Sequence, residues 1–248
     1  MSLSEEDVQK NKSHDFYKMA IELLVKKDFP FLMGGAYALR LYTGIHRDTK
    51  DLDIFCRPTD YQRILKEFSD LGYKVELSDP RWIAKVYMDN HYIDIIFNTT
   101  TNLCMVDDSW FEHAVQGEMY DIPVRFIAAE ELYWSKSYVQ NRERYDGADL
   151  NHIILRNGQN MDWKRVLTRL DQHWHLLLSQ FLNFQFVYPA NRDLIPRWLF
   201  DELLERAKIQ YDLPTPMAKV CLGPLVDHTQ YKTDIIDWGY KTITTLSI

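Results

Sequence analysis

Residues 31–55 read Phe31-Leu-Met-Gly34-Gly35-Ala-Tyr-Ala-Leu-Arg-Leu-Tyr-Thr-Gly44-Ile-His-Arg47-Asp-Thr49-Lys50-Asp51-Leu-Asp53-Ile-Phe55. An apolar run ends in a glycine pair, a short amphipathic stretch follows, and two aspartates then alternate with Leu52, Ile54 and Phe55. Strand side chains alternate between faces, so residues i and i+2 share one. If 51–55 is a strand, Leu52 and Ile54 point into a core, and Asp51 and Asp53 stand together on the other face with Cα atoms ~6.5 Å apart. Two carboxylates that close repel unless a cation lies between them. An all-oxygen site suits magnesium, with manganese as the alternative ion, and magnesium usually also takes substrate phosphates.

The residues on either side extend the pattern. Gly34 and Gly35 carry no Cβ and let a ligand approach the backbone. Ala36–Tyr42 reads as a helix whose first amides suit an anion. The loop Gly44–Lys50 carries His46, Arg47, Thr49 and Lys50. His46 reads as a solvated loop residue. Arg47, Thr49 and Lys50 are the candidates for phosphate oxygens, since they lead into the carboxylate strand. Further on, Tyr92-Ile93-Asp94-Ile95-Ile96-Phe97 is an apolar run with a single charge. An aspartate in such a strand is costly to bury unless paired or metal-bound, so Asp94 is the third candidate carboxylate.

This constellation resembles the nucleotidyltransferase superfamily that includes DNA polymerase beta: a glycine pair closing a strand, Asp-x-Asp on the next, and a later strand carboxylate. Within it, the pattern is similar to the AbiEii-like bacterial group, in Gly34-Gly35-Ala36-Tyr37-Ala38-Leu39 and Arg47-Asp48-Thr49-Lys50-Asp51-Leu52-Asp53. The likeness covers roughly residues 30–155. It implies that Asp51, Asp53 and Asp94 are the catalytic and metal-binding residues. It implies that Gly34, Gly35, Arg47, Thr49 and Lys50 bind the nucleotide. It extends that role to Lys136, which fits a helical lysine element, and to Asp146 within Arg144-Tyr145-Asp146. AbiEii-like members are toxins of toxin–antitoxin pairs, so a toxin role is one sub-case.

Composition sets the outer bounds. The chain has 248 residues, 29 basic against 36 acidic, and a net charge of −7. That balance argues against non-specific nucleic-acid binding, which rests on Lys and Arg clusters. Three cysteines, Cys56, Cys104 and Cys221, lie far apart without metal-ligand spacing, as in a reduced compartment. No apolar run reaches the ~20 residues of a membrane span, and Met1–Asn11 lacks a signal-peptide apolar core. A cytoplasmic protein without membrane partners is expected.

The order strand, helix, strand, helix, then several strands predicts an α/β (α+β) fold: a small mixed sheet with helices on one face. Expected strands are Phe29–Met33, Asp51–Cys56, Tyr73–Leu77, Trp82–Met88, Tyr92–Phe97, Gln116–Tyr120 and Ile122–Phe126. Asp89-Asn90 is hairpin chemistry. Residues 1–12 read as frayed, His14–Lys27 as an amphipathic helix, and Pro58 opens a helix to Leu71. Asp107-Asp108 reads as a helix cap. Ala128–Arg142 reads as one helix, and 146–182 as helical with a break at Gly158 and 160–162. Residues 1–127 are assigned as the catalytic domain and 128–248 as a mainly helical region completing the cleft.

The function predicted from these residues is magnesium-dependent transfer of a nucleoside monophosphate from a nucleoside triphosphate. The acceptor is a hydroxyl on a small molecule, protein or RNA. Two alternatives stand beside it. One is an antibiotic nucleotidyltransferase acting on an aminoglycoside or lincosamide, the other a non-catalytic nucleotide-binding module of the same fold. All three acidic positions are filled, which weighs against the last. The preferred nucleotide and the oligomeric state are not specified by the sequence.

Overall fold

The computed structural model describes residues 5–47 and 49–243. The chain divides into two compact units, Met1–Ala128 and Ala129–Ile248.

In the first unit, α1 (Glu5–Lys26) leads to β1 (Leu32–Met33), α2 (Gly35–Thr43), β2 (Asp51–Phe55), α3 (Tyr61–Asp70), β3 (Lys74–Asp79), β4 (Ile83–Met88), β5 (His91–Ile96), α4 (Asp108–Glu112), β6 (Val115–Met119) and β7 (Ile122–Phe126). The seven strands make one mixed sheet in the order β3-β4-β5-β2-β1-β7-β6. β2 runs parallel to β5, with Asp51 opposite Tyr92 and Asp53 opposite Asp94. β1 is antiparallel to β2 and parallel to β7. This is the mixed α/β fold expected from the strand and helix order.

The alternation in the sequence holds the sheet in register. Leu52, Ile54, Ile93, Ile95, Ala84 and Val86 share one face and are fully buried. A slip of one residue would turn that apolar set to the polar face, so the core specifies the pairing. α3 buries Ile64 and Phe68, two positions four apart on one helical stripe.

Several boundaries differ from the expectation for local reasons. The helix of the first unit starts at Glu5, well before His14, and residues 1–4 lie outside the described residues. β1 is two residues long. After α1, Asp28 takes a positive φ of 55°, and the Phe29 amide still bonds back to Leu24 at 3.0 Å. Pro58 opens no helix: it sits second in a turn closed by the Asp60 amide on the Arg57 carbonyl at 3.0 Å, and α3 begins at Tyr61. Asp107 does stand before α4, but its side chain makes no capping bond. The turn between β6 and β7 is Tyr120-Asp121, both at positive φ (55° and 64°), which matches the right-handed strand twist.

The second unit contains α5 (Ala129–Ser137), α6 (Gly147–Asn157), α7 (Trp163–Leu170), α8 (Trp174–Val187), α9 (Arg197–Asp212) and α10 (Lys232–Ile236). The single helix expected over Ala128–Arg142 ends at Ser137. There the Ser137 hydroxyl donates back to the Tyr133 carbonyl at 2.8 Å. A tight excursion follows, in which the Asp146 amide bonds to Val139 at 2.9 Å. α5 is buried on nearly every side, so it carries no amphipathic stripe. Its Glu131, fully buried, accepts from Arg165 at 2.9 Å and Arg169 at 3.3 Å. Among the described residues no helix is long and apolar enough to cross a membrane.

Leu52→Ala removes a fully buried side chain from the central strand pair. It should cost about 2–5 kcal/mol in urea unfolding, whereas Leu71→Ala, at a position 56% exposed, should stay within about 0.5 kcal/mol. Equal costs would mean that the apolar underside is not the core.

Candidate active site

Directly paired residues of neighbouring strands project to the same face. The β2–β5 register therefore sets Asp53 beside Asp94, and Asp51 beside Tyr92. The β4–β5 register adds Lys85 beside Asp94 and Tyr87 beside Tyr92. One face of the sheet thus carries a polar row, Lys85, Asp94 and Asp53, across three adjacent strands. Asp51 and Asp53 are half-buried, and Asp94 is buried.

The row runs into the glycine pair. The Gly34 amide donates to the Asp53 carbonyl at 3.0 Å. Gly35 has φ +53°, and a Cβ built on it would lie 1.6 Å from Asp53 Oδ2. Only glycine fits there, on both backbone and steric grounds. The carboxylate of Asp53 therefore rests against the first turn of α2, whose amides lack intrahelical acceptors and carry the positive end of the helix dipole.

Asp51 is oriented from the loop before it. The Thr49 hydroxyl donates to Asp51 Oδ1 and also reaches the Asp51 carbonyl at 3.3 Å. Thr49 is thus a carboxylate-orienting residue in this structure. Arg47 and Lys50 lie exposed on the same loop. Asp94 Oδ1 accepts from Lys85 Nζ at 2.5 Å, and that ammonium also lies 4.1 Å from the centre of the Tyr92 ring. Burial works against the charge on Lys85, but the hydrogen bond and charge of Asp94 outweigh it and hold its pKa above the ordinary lysine value.

Aromatic hydroxyls border the carboxylates. Burial raises the pKa of Tyr17, and the charges of Asp51 and Asp53 add to the rise. Burial is also the largest cause of the rise at Tyr37 and at Tyr92, with Asp51 and Asp53 adding to both, while the hydrogen bond with Tyr120 offsets part of it at Tyr37 and the charge of Lys85 offsets part of it at Tyr92. These three phenols stay protonated at neutral pH. Tyr37 shares a hydrogen bond with Tyr120 at 3.2 Å.

Lys136 and Asp146 belong to the second unit. Lys136 is buried, donating to Asp146 Oδ2 at 2.6 Å and Asp149 Oδ2 at 2.8 Å. Arg144 adds Nε to Asp146 Oδ1 at 3.1 Å. Asp146 precedes α6 and Asp149 lies in its first turn, so both carboxylates also meet the positive end of that helix.

The register brings together Gly34, Gly35, Asp51, Asp53 and Asp94, with Thr49 holding Asp51. Among the described residues, no three carboxylate, histidine or cysteine side chains converge as a ready three-ligand metal group. The sequence reading missed Lys85, Tyr17, Tyr37 and Tyr92. Lys85 was within reach: Asp89-Asn90 is a two-residue turn, so position 88 pairs with 91 and position 85 with 94.

The model of the aminoglycoside-2''-adenylyltransferase family matches residues 18–154, more than half of the chain. The chain belongs to this family. It is a nucleotidyltransferase, and all ten candidate residues lie within the matched stretch. No curated protein sequence matches it. Among solved structures it is similar to the lincosamide antibiotic adenylyltransferase LnuA bound to lincomycin, with 18% identity, 62% of this chain and 98% of that one covered, and a TM-score of 0.40. It is also similar to ANT(2'')-Ia in complex with adenylyl-2''-tobramycin, with 14% identity, 64% and 96% covered, and a TM-score of 0.45. A third is JHP933 from Helicobacter pylori, with 15% identity, 85% and 98% covered, and a TM-score of 0.41.

Two stability measurements check this geometry. Gly44 has φ +75° but open space around a built Cβ, so Gly44→Ala carries only backbone strain, about 1 kcal/mol. Gly35→Ala should cost about 1–3 kcal/mol from backbone strain, with the Asp53 clash added, and must exceed Gly44→Ala in the same urea titration. Lys136→Met removes the ammonium shared by two buried carboxylates, leaving Asp146 only its Arg144 partner from this cluster, and should cost up to about 3–5 kcal/mol, with Lys136→Arg recovering part of it. A neutral Lys136→Met would mean that the triad is solvated.

Proposed function

We propose that the protein transfers a nucleoside monophosphate from a nucleoside triphosphate to a hydroxyl of an aminoglycoside-like acceptor, releasing pyrophosphate. The observation carrying the chemistry is the juxtaposition of Asp51, Asp53 and Asp94 on one sheet face, with Asp53 against the Gly34–Gly35 turn. The acceptor class rests on the matched family and on charge: at −7 the chain favours a polycationic small molecule over an RNA. The finer likeness to AbiEii-like enzymes, and a toxin role with it, stands on Gly34–Leu39 and Arg47–Asp53 alone.

The donors suit magnesium or manganese. Asp51 and Asp53 offer only carboxylate oxygens, and the missing Cβ of Gly35 makes the room in which Asp53 Oδ2 sits. An ion held there would neutralise charge on the triphosphate. The remaining work falls to the chain. First-turn amides of α2 face the anionic phosphates, Arg47 and Lys50 extend from the adjoining loop, and Thr49 keeps Asp51 in position. The acceptor oxygen attacks the α-phosphorus as the bond to the bridging oxygen breaks, and Asp94 takes the hydroxyl proton. Pyrophosphate leaves with the bonding pair. Catalysis here is positioning and electrostatics. Lys136 and Asp146 are retained as nucleotide-binding candidates through the family likeness.

Thermal unfolding with each of the four NTPs, with and without Mg²⁺, tests the reading. One nucleotide should stabilise wild type by about 2.7 kcal/mol at a hundredfold excess over Kd, only with metal, and the shift should vanish in Asp51→Ala/Asp53→Ala. Pyrophosphate release with that nucleotide should then require an aminoglycoside. Metal-independent binding, or binding retained in the double variant, overturns the site. Release with no aminoglycoside tried overturns the acceptor.

A further inference from the structure

We infer that Lys85 is a resident cation of the site: it holds Asp94 out of metal coordination, so that the protein itself supplies only Asp51 and Asp53 as metal ligands. This rests on the nucleotidyltransferase site proposed above and narrows it.

Three observations carry the inference. The two-residue turn at Asp89-Asn90 sets Lys85 directly opposite Asp94, so the lysine reaches the carboxylate through strand pairing rather than a flexible loop. Lys85 Nζ lies 2.5 Å from Asp94 Oδ1, with the side chains only 22% and 11% exposed. The Tyr92 ring, 4.1 Å away, gives the ammonium a second electrostatic partner on the same face. A charge-assisted bond in so dry a place is strong and short.

Charge arithmetic points the same way. Asp51, Asp53 and Asp94 carry three negative charges. One divalent ion at the Asp51–Asp53 pair and one ammonium at Asp94 cancel them before any nucleotide arrives. A divalent ion on Asp94 would have to sit within a few ångströms of Lys85 Nζ, and like charges at that separation in a partly dry site repel strongly. Lys85 would need to swing away first and lose both the carboxylate and the ring.

Direct Mn²⁺ binding tests this without turnover. Free Mn²⁺ is followed by its electron paramagnetic resonance signal, with the full chain and with a non-hydrolysable triphosphate analogue of the active nucleotide. Wild type should hold one protein-dependent ion. Asp94→Asn should hold it with affinity within about threefold of wild type, while Asp53→Asn should weaken it more than tenfold. Lys85→Met should gain a second ion, and Lys85→Arg should not. A Tm for each variant establishes folding. Should Lys85→Met not fold, Asp94→Asn decides the matter, because loss of more than tenfold in Mn²⁺ affinity there overturns the inference. Two ions on wild type, or an unchanged count in folded Lys85→Met, also overturn it while leaving the nucleotidyltransferase reading intact. No nucleotide-dependent Mn²⁺ binding by wild type would overturn both together.

Discussion

Three like charges on one face of two neighbouring strands is the constraint around which the first unit is built. Asp51, Asp53 and Asp94 would push their strands apart if nothing opposed them. Two things oppose them. Beneath, Leu52, Ile54, Ile93 and Ile95 are fully buried, so separating or sliding the strands exposes an apolar layer. Above, each carboxylate has its own local answer: Thr49 for Asp51, the α2 N-terminus for Asp53, and Lys85 for Asp94. A site that concentrates negative charge is stable only because hydrophobic burial on the other face is larger than the repulsion.

The second unit handles buried charge differently. Lys136 meets Asp146 and Asp149, and Glu131 meets Arg165 and Arg169, so the buried helix α5 supplies one member of each cluster. Such pairs contribute little net stability over an apolar filling, since desolvation offsets attraction. Losing one partner is costly, because it leaves an uncompensated charge in the interior. Tyr17, Tyr37 and Tyr92, which feel the charges of Asp51 and Asp53, belong to the first unit and stay neutral beside them.

Much of the first unit was legible from pattern alone. Alternation in 51–55 and 92–97 marked both central strands, and the glycine pair marked the turn between β1 and α2. What misled were the edges of elements. Pro58 reads as a helix start, yet the Arg57–Asp60 turn consumes it. Ala128–Arg142 reads as one long helix because its residues favour helix, but α5 stops at Ser137, where the hydroxyl bonds back to Tyr133 and the chain turns so that the Asp146 amide meets Val139. Residues 1–12 look too polar to order, yet the helix begins at Glu5.

The sequence by itself determined the fold class and the nucleotidyltransferase pattern, and it singled out three candidate carboxylates, since each follows from local chemistry: period two, a glycine pair, and charge in an apolar run. It even contained the register of the β4–β5 hairpin, because a two-residue turn leaves one pairing. Tertiary structure decided which charges meet. That Asp53 lies beside Asp94 depends on a parallel pairing between strands separated by α3, β3 and β4, which no local rule specifies. That Gly35 must lack a side chain because Asp53 fills its place likewise appears only when β2 and α2 pack. Local chemistry is written residue by residue, whereas the partner of a charge is set by long-range burial.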